Sequence, residues 1–211
     1  MNLDILKPTG ILNFTKQDFV YCGDLSKPFF VVVGCSHTTG ESVDYTQSWS
    51  NQLANMLQME HLNIGLKGSD LSYQSEKIDI LWDVLPNCQF CIWMQTYPVR
   101  NRLPFQFLGD FRRRILHHTL WEDPQTLVSL VGYTKRHLNK SILVLNCWGY
   151  PDNYLSILES TFRNNLNYWI NKNLQLDYGY DNAHSGPKTH LQLAKDLHCY
   201  MRSNNLFKIN N

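Results

Sequence analysis

Ser36 lies in Gly34-Cys35-Ser36-His37-Thr38-Thr39-Gly40, a small and polar stretch that follows the apolar run Phe29-Phe30-Val31-Val32-Val33. A serine hydroxyl is a poor nucleophile at neutral pH until a base takes its proton. Imidazole suits that task because it titrates near neutrality. A carboxylate on the second ring nitrogen fixes the tautomer and stabilises the imidazolium. Far along the chain, Asp181-Asn182-Ala183-His184 offers both groups in one D-x-x-H turn. Together these residue types can attack a carbonyl and pass through a covalent serine ester. Each segment alone has a plainer reading. The first can simply turn the chain, and an Asp near a His is common on surface turns.

For the three side chains to meet, the elements around them must share one edge. The unbroken β-branched run Phe29–Val33 reads as a strand buried on both faces. Trp49, Leu53, Met56 and Leu57 fall on one face of a helix beginning near Tyr45. Glu60–Ile64 reads as a second strand. Leu71–Val84 reads as a helix with Ile78, Leu81, Trp82 and Leu85 inward, closed by Pro86. Cys88–Met94 gives a third strand, residues 124–138 a helix, and Ser141–Asn146 a fourth strand. A helix is expected over Tyr154–Ile170, a short fifth strand over Leu174–Tyr178, and a last helix from Pro187 to about Met201. Strands alternating with helices imply a three-layer α/β/α sandwich around a five-stranded parallel sheet with right-handed crossovers. Residues 1–28 read as an N-terminal arm and 29–211 as the domain. Ser36 and the D-x-x-H turn then stand at the carboxyl edge of the strands, where parallel sheets bind ligands.

The ordered blocks resemble those of the SGNH hydrolases, also called GDSL esterases and lipases, over residues of about 29 to 200. Gly34-Cys35-Ser36 with Thr38 and Gly40 is similar to the first block, in which the nucleophile lies in G-D-S. Asn63-Ile64-Gly65-Leu66-Lys67-Gly68 resembles the second, whose last glycine donates a backbone N–H to the oxyanion. Asp181 and His184 match the closing D-x-x-H. The resemblance implies a flavodoxin-like fold and a serine esterase with Ser36 as nucleophile, His184 as base and Asp181 orienting it. The N–H groups of Ser36 and Gly68 would form the oxyanion hole. Two positions depart from the pattern. Cys35 replaces the aspartate of G-D-S, and the third block offers Gln95-Thr96 where the family has an asparagine amide. Gln95 carries the same donor on a longer stem and Thr96 a hydroxyl. The implied substrate is a small carboxylic ester, such as an acylated glycan or acyl lipid, with acyl transfer as an alternative outcome. The altered blocks also admit a non-catalytic module of this fold that binds glycans or serves in a larger assembly.

Other residues have weaker readings. His37, beside the nucleophile, and Arg100, after the third strand, are candidates for substrate contact. His190 fits a packing position in the last helix. Arg112-Arg113-Arg114 reads as a solvated helix face. The irregular stretch 97–121 follows the third strand and would overhang the site as a wall or as a small satellite core. The chain of 211 residues has 43% hydrophobic and 18% charged residues and a formal net charge of +1. That near balance gives nucleic acid or an anionic membrane no electrostatic claim. No run approaches the ~20 apolar residues of a membrane span. The six cysteines include Cys88-x-x-Cys91, whose odd offset in a strand is expected to send the thiols to opposite faces. Neither metal nor organic cofactor is implied. No export signal is visible, and the expected compartment is cytoplasmic, or that of a virus- or phage-encoded protein.

Overall fold

The structure, a computed structural model, describes residues 20–95, 132, 141–146, 167–170 and 176–206. The expectations for residues 97–121 and for the helix over 124–138 fall outside these residues.

Six strands form one sheet in the order β1-β3-β2-β4-β5-β6. They are β1 (Tyr21–Cys22), β2 (Phe29–Val33), β3 (Glu60–Asn63), β4 (Cys88–Gln95), β5 (Ile142–Asn146) and β6 (Asn167–Ile170). The strands β3, β2, β4, β5 and β6 run parallel, and β1 adds an antiparallel edge to β3. The chain therefore leaves from the middle of the sheet, steps to one side, then crosses back and grows to the other. Such a reversal opens a crevice at the carboxyl ends of the central strands. β2 exits into that crevice, and Ser36 is three residues beyond its end.

The helices follow the apolar spacing. Helix α1 is one turn (Ser36–Thr39), and a 3-10 turn at Tyr45–Gln47 precedes α2 (Trp49–Leu57), so the α-helix begins later than Tyr45. Ser48 caps α2 by accepting the Asn51 N–H. Helix α3 spans Leu71–Val84, with Asp70 accepting the Tyr73 N–H, and α4 spans Pro187–Ser203. On one sheet face Phe30, Val32, Phe90, Ile92, Met94, Leu143 and Leu145 pack against Trp49, Leu53 and Leu57 of α2 and Leu193, Leu197 and Met201 of α4. On the other face Val31 and Cys91 meet Ile78 and Leu81 of α3. The three-layer arrangement is as expected.

Two expectations fail. The outer parallel strand is β6, within the segment expected to end a helix, whereas Tyr178 makes only an isolated bridge to Ser185. Tyr168-Trp169-Ile170 is aromatic and β-branched, which favours a strand. The apolar spacing of the preceding residues continues across it and conceals the change of period. The second failure is at Cys88 and Cys91, which line one small apolar cavity together with Val31, Ile78 and Leu81. The register between β2 and β4 slips there, Phe29 pairing with Cys88 and Phe30 with Phe90. This bulge absorbs one residue and returns the two thiols to the same side. Burial pushes the Cys88 thiol up to about 12, so it stays protonated.

A buried polar chain ties the layers together near the crevice. Trp93 Nε1 donates to Gln74 Oε1 (2.8 Å), Gln74 Nε2 to Ser69 Oγ (2.9 Å), and Ser69 Oγ to the Gly34 carbonyl (3.0 Å). It links β4, α3 and the exit of β2. Gln74→Leu keeps the volume but strands the Trp93 donor, and a lost partner of a buried group costs roughly 1–3 kcal/mol. Urea unfolding is expected to register a loss of that size.

Two histidines are almost fully buried. His61 stacks between Tyr21 and Phe30 and is hydrogen-bonded to the Tyr45 hydroxyl. His190 accepts the Trp49 N–H at Nδ1 (3.0 Å), joining α4 to the start of α2, which is the packing role expected of it. Desolvation brings both imidazoles down to about 4. Since the unfolded chain titrates them near 6.5, it binds more protons than the folded one between these values. The stability they protect is complete above pH ~6.5 and declines as pH falls toward 4. The two contribute on the order of 3 kcal/mol each. Denaturant unfolding at pH 7.5 and pH 5 should reveal the decline. Equal stability at the two values would contradict neutral burial.

Candidate active site

The sheet brings the two distant segments together at the exit of β2. Ser36 is the first residue of α1, and Gly40 ends that turn in the left-handed region (φ 73°). The turn is tight because the Cys35 carbonyl accepts the N–H groups of both Thr38 and Thr39. Cys35 is wholly buried and gives the turn no side-chain cap, so backbone bonds alone hold the position that the family fills with aspartate. Gly34 is required by space. A Cβ there would overlap the Thr38 hydroxyl and press on the Met94 carbonyl.

Ser36 Oγ lies 3.1 Å from His184 Nε2, and His184 Nδ1 lies 2.5 Å from Asp181 Oδ2. The fold therefore brings these three side chains, distant in the chain, within hydrogen-bond distance of one another. Asp181 is ordered by its own turn: Oδ1 accepts the N–H groups of Ala183 (2.9 Å) and His184 (3.0 Å). These backbone donors, then the imidazole and Ser42, hold its carboxyl well below the usual carboxylate range. Asp181 stays ionised through the whole range in which an imidazole titrates. Ser36 is 1% exposed and the His184 side chain 20%, so the hydroxyl is sheltered while the imidazole meets the crevice.

Several residues that sequence spacing did not single out position this relay. Ser42 joins the nucleophile turn to the acid–base loop: its carbonyl accepts the Tyr180 N–H (3.0 Å) and its Oγ the Asp181 N–H (2.6 Å). It adopts φ 72°, an uncommon conformation for a residue with a side chain. Gly179 faces it so closely that a Cβ would overlap the Ser42 carbonyl. Asp177 anchors the other end of the loop by accepting the Lys188 and Thr189 N–H groups at the start of α4, both at 2.9 Å. Asn63, fully buried, donates to the Thr38 carbonyl (2.7 Å) and accepts the Gly65 N–H (2.9 Å). That amide fixes the nucleophile turn relative to the loop that carries Gly68. Only the two flanking glycines hinted at such close approach in the sequence.

Among the remaining candidates, Gly68 has φ 76°, with open space where a Cβ would be, and its N–H has no acceptor among the described residues. Gln95 closes β4 and is fully buried. Thr96 and Arg100 lie outside the described residues. His37 Nδ1 is 3.3 Å from Ser185 Oγ, and its ring is 5.2 Å from that of His184. Beside them, Glu41 Oε2 is 3.4 Å from His184 Nε2 while its Oε1 pairs with Lys67. A depression of about 790 Å³ is at the other end of the strands, lined by residues such as Tyr21, Pro28, Glu60 and Gln89.

Gly179→Ala should push the acid–base loop away from Ser42. The expected result is at least a tenfold slower reaction of Ser36 with a fluorophosphonate and a lower melting temperature, read by gel fluorescence and thermal denaturation.

No protein-family model matches this sequence, and no curated protein matches it closely. Solved structures do. A family 2 carbohydrate esterase with a carbohydrate-binding domain from Corynascus thermopiles (Myceliophthora fergusii) matches 85% of this chain and 67% of its own, at 12% identity and a TM-score of 0.56. The acetyl xylan esterase Est2A from Butyrivibrio proteoclasticus matches 84% of this chain and 64% of its own, at 13% identity and a TM-score of 0.52. The salicylyl-acyltransferase SsfX3 of a tetracycline biosynthetic pathway matches 87% and 57%, at 12% identity and a TM-score of 0.54. This chain thus spans about two thirds or less of each of these proteins. The shared feature is the fold, which is that of the SGNH hydrolases.

Proposed function

We propose that this protein is a serine esterase that cleaves a carboxylic ester through an acyl-enzyme. The observation that carries the reading is the continuous relay Ser36–His184–Asp181, with contacts of 3.1 and 2.5 Å. His184 takes the Ser36 proton as Oγ bonds to the ester carbonyl carbon. The carbonyl π pair moves onto oxygen, where the N–H groups of Ser36 and Gly68 are the nearest candidate donors. The imidazolium then gives its proton to the leaving alcohol. Water repeats the sequence in reverse roles and frees the acid. Asp181 fixes the tautomer and carries no proton of its own.

The neighbouring folds include enzymes named for acetylated xylan and other carbohydrates and one named for acyl transfer. They support an acylated glycan or other small polyol ester as substrate, with a hydroxyl acceptor as the alternative to water. Among the described residues no helix is long and apolar enough to cross a membrane.

A fluorophosphonate probe should label the wild-type protein and fail to label Ser36→Ala. Asp181→Asn should lower kcat on an aryl acetate by up to about 10⁴. Absent labelling of folded wild-type protein would replace the esterase by a non-catalytic glycan-binding module.

A further inference from the structure

Glu41 stands beside the reacting nitrogen and has no part in the relay. Its Oε2 lies 3.4 Å from His184 Nε2, is buried, and has no hydrogen-bond donor among the described residues. Its Oε1 is paired with Lys67, next to the proposed oxyanion glycine. The backbone fixes the side chain from both directions. The Glu41 N–H donates to the Ser36 carbonyl (3.0 Å), Gly40 before it is left-handed, and Ser42 after it is clamped to Tyr180 and Asp181. A carboxylate oxygen in this state lacks a partner in the resting protein. It gains one when a proton arrives on Nε2.

We propose that Glu41 is a second carboxylate partner of His184, stabilising the imidazolium formed in the reaction, with Lys67 moderating its charge. This rests on the assignment of His184 as the base. In the resting state Nε2 is the acceptor of the Ser36 hydroxyl and offers Oε2 nothing. When the Oγ–H bond breaks and the Oγ–carbon bond forms, the proton moves to Nε2 and the ring becomes positive. It then lies between Asp181 on Nδ1 and Glu41 near Nε2. The attraction is larger in the transition state than in the ground state, which is the condition for lowering the barrier. Among the described residues, the other titratable or charged groups facing this ring are His37, 5.2 Å away, and Lys67 through Glu41. The Lys67 ammonium is solvent-exposed and screens one oxygen of the carboxylate, leaving the inner one to the imidazole.

Glu41→Gln keeps the shape and removes the charge. Its plateau kcat/KM on an aryl acetate should fall roughly ten- to a hundredfold with KM little changed, and the acidic limb of the profile should move to lower pH. Lys67→Met, at an exposed position, should move that limb to higher pH, and the double variant should behave as Glu41→Gln. A purely structural Glu41–Lys67 link predicts losses in the same direction for both single variants and no movement of the limb. NMR titration of the His184 ring, assigned by its disappearance in His184→Asn, reads the same contact without substrate. The expected midpoints fall in the order Glu41→Gln, wild type, Lys67→Met. Unmoved midpoints, or both variants shifted the same way, overturn the role of Glu41. The expected order without any fluorophosphonate labelling sinks the esterase reading and leaves the Glu41–His184 contact standing.

Discussion

The structure depends on holding two turns, separated by 148 residues of chain, within a hydrogen bond of each other at the exit of β2. No single contact does this. The parallel sheet places both segments at its carboxyl edge, and Ser42 then locks them backbone to backbone. Gly179 and Gly34 are small because the locked turns leave no room for a methyl group. The buried chain Trp93–Gln74–Ser69–Gly34 fixes the exit of β2 from the opposite layer.

Environment divides the histidines of this chain by task. His61 and His190 are desolvated and kept neutral, so they act as aromatic and hydrogen-bonding parts of the core. His184 is partly open to the crevice, with Asp181 on Nδ1 and Ser36 and Glu41 near Nε2. The same side chain thus serves packing where charge is penalised and stands between polar partners where the crevice opens. Asp181 is the most secure of those partners, because its own backbone donors keep it ionised.

The departures from the family blocks have separate consequences. At position 35 the buried side chain caps nothing, and the carbonyl of Cys35 accepts the N–H groups of Thr38 and Thr39. In the third block Gln95 is fully buried at the end of β4. Asn63, in the second block, has an amide committed to the framework: it joins the nucleophile turn to the Gly65 loop and is unavailable to a substrate. An amide of the expected kind is present, but its place makes it a brace.

Local pattern was enough to determine much of this protein. The β-branched run of β2, the apolar stripes of α2 and α3 and the strand–helix alternation specified the layers, because side-chain periodicity is a property of neighbouring residues. The order of the short blocks pointed to Ser36, Asp181 and His184, which the fold brings together. Where a local irregularity intervened, pattern failed. One residue absorbed in a bulge reversed the faces of Cys88 and Cys91, and β6 was hidden in a spacing that continued from the segment before it. Glu41, Ser42 and Asn63 were legible only in three dimensions. Their roles consist of distances to residues far away in the chain, and such distances are set when the sheet orders its strands.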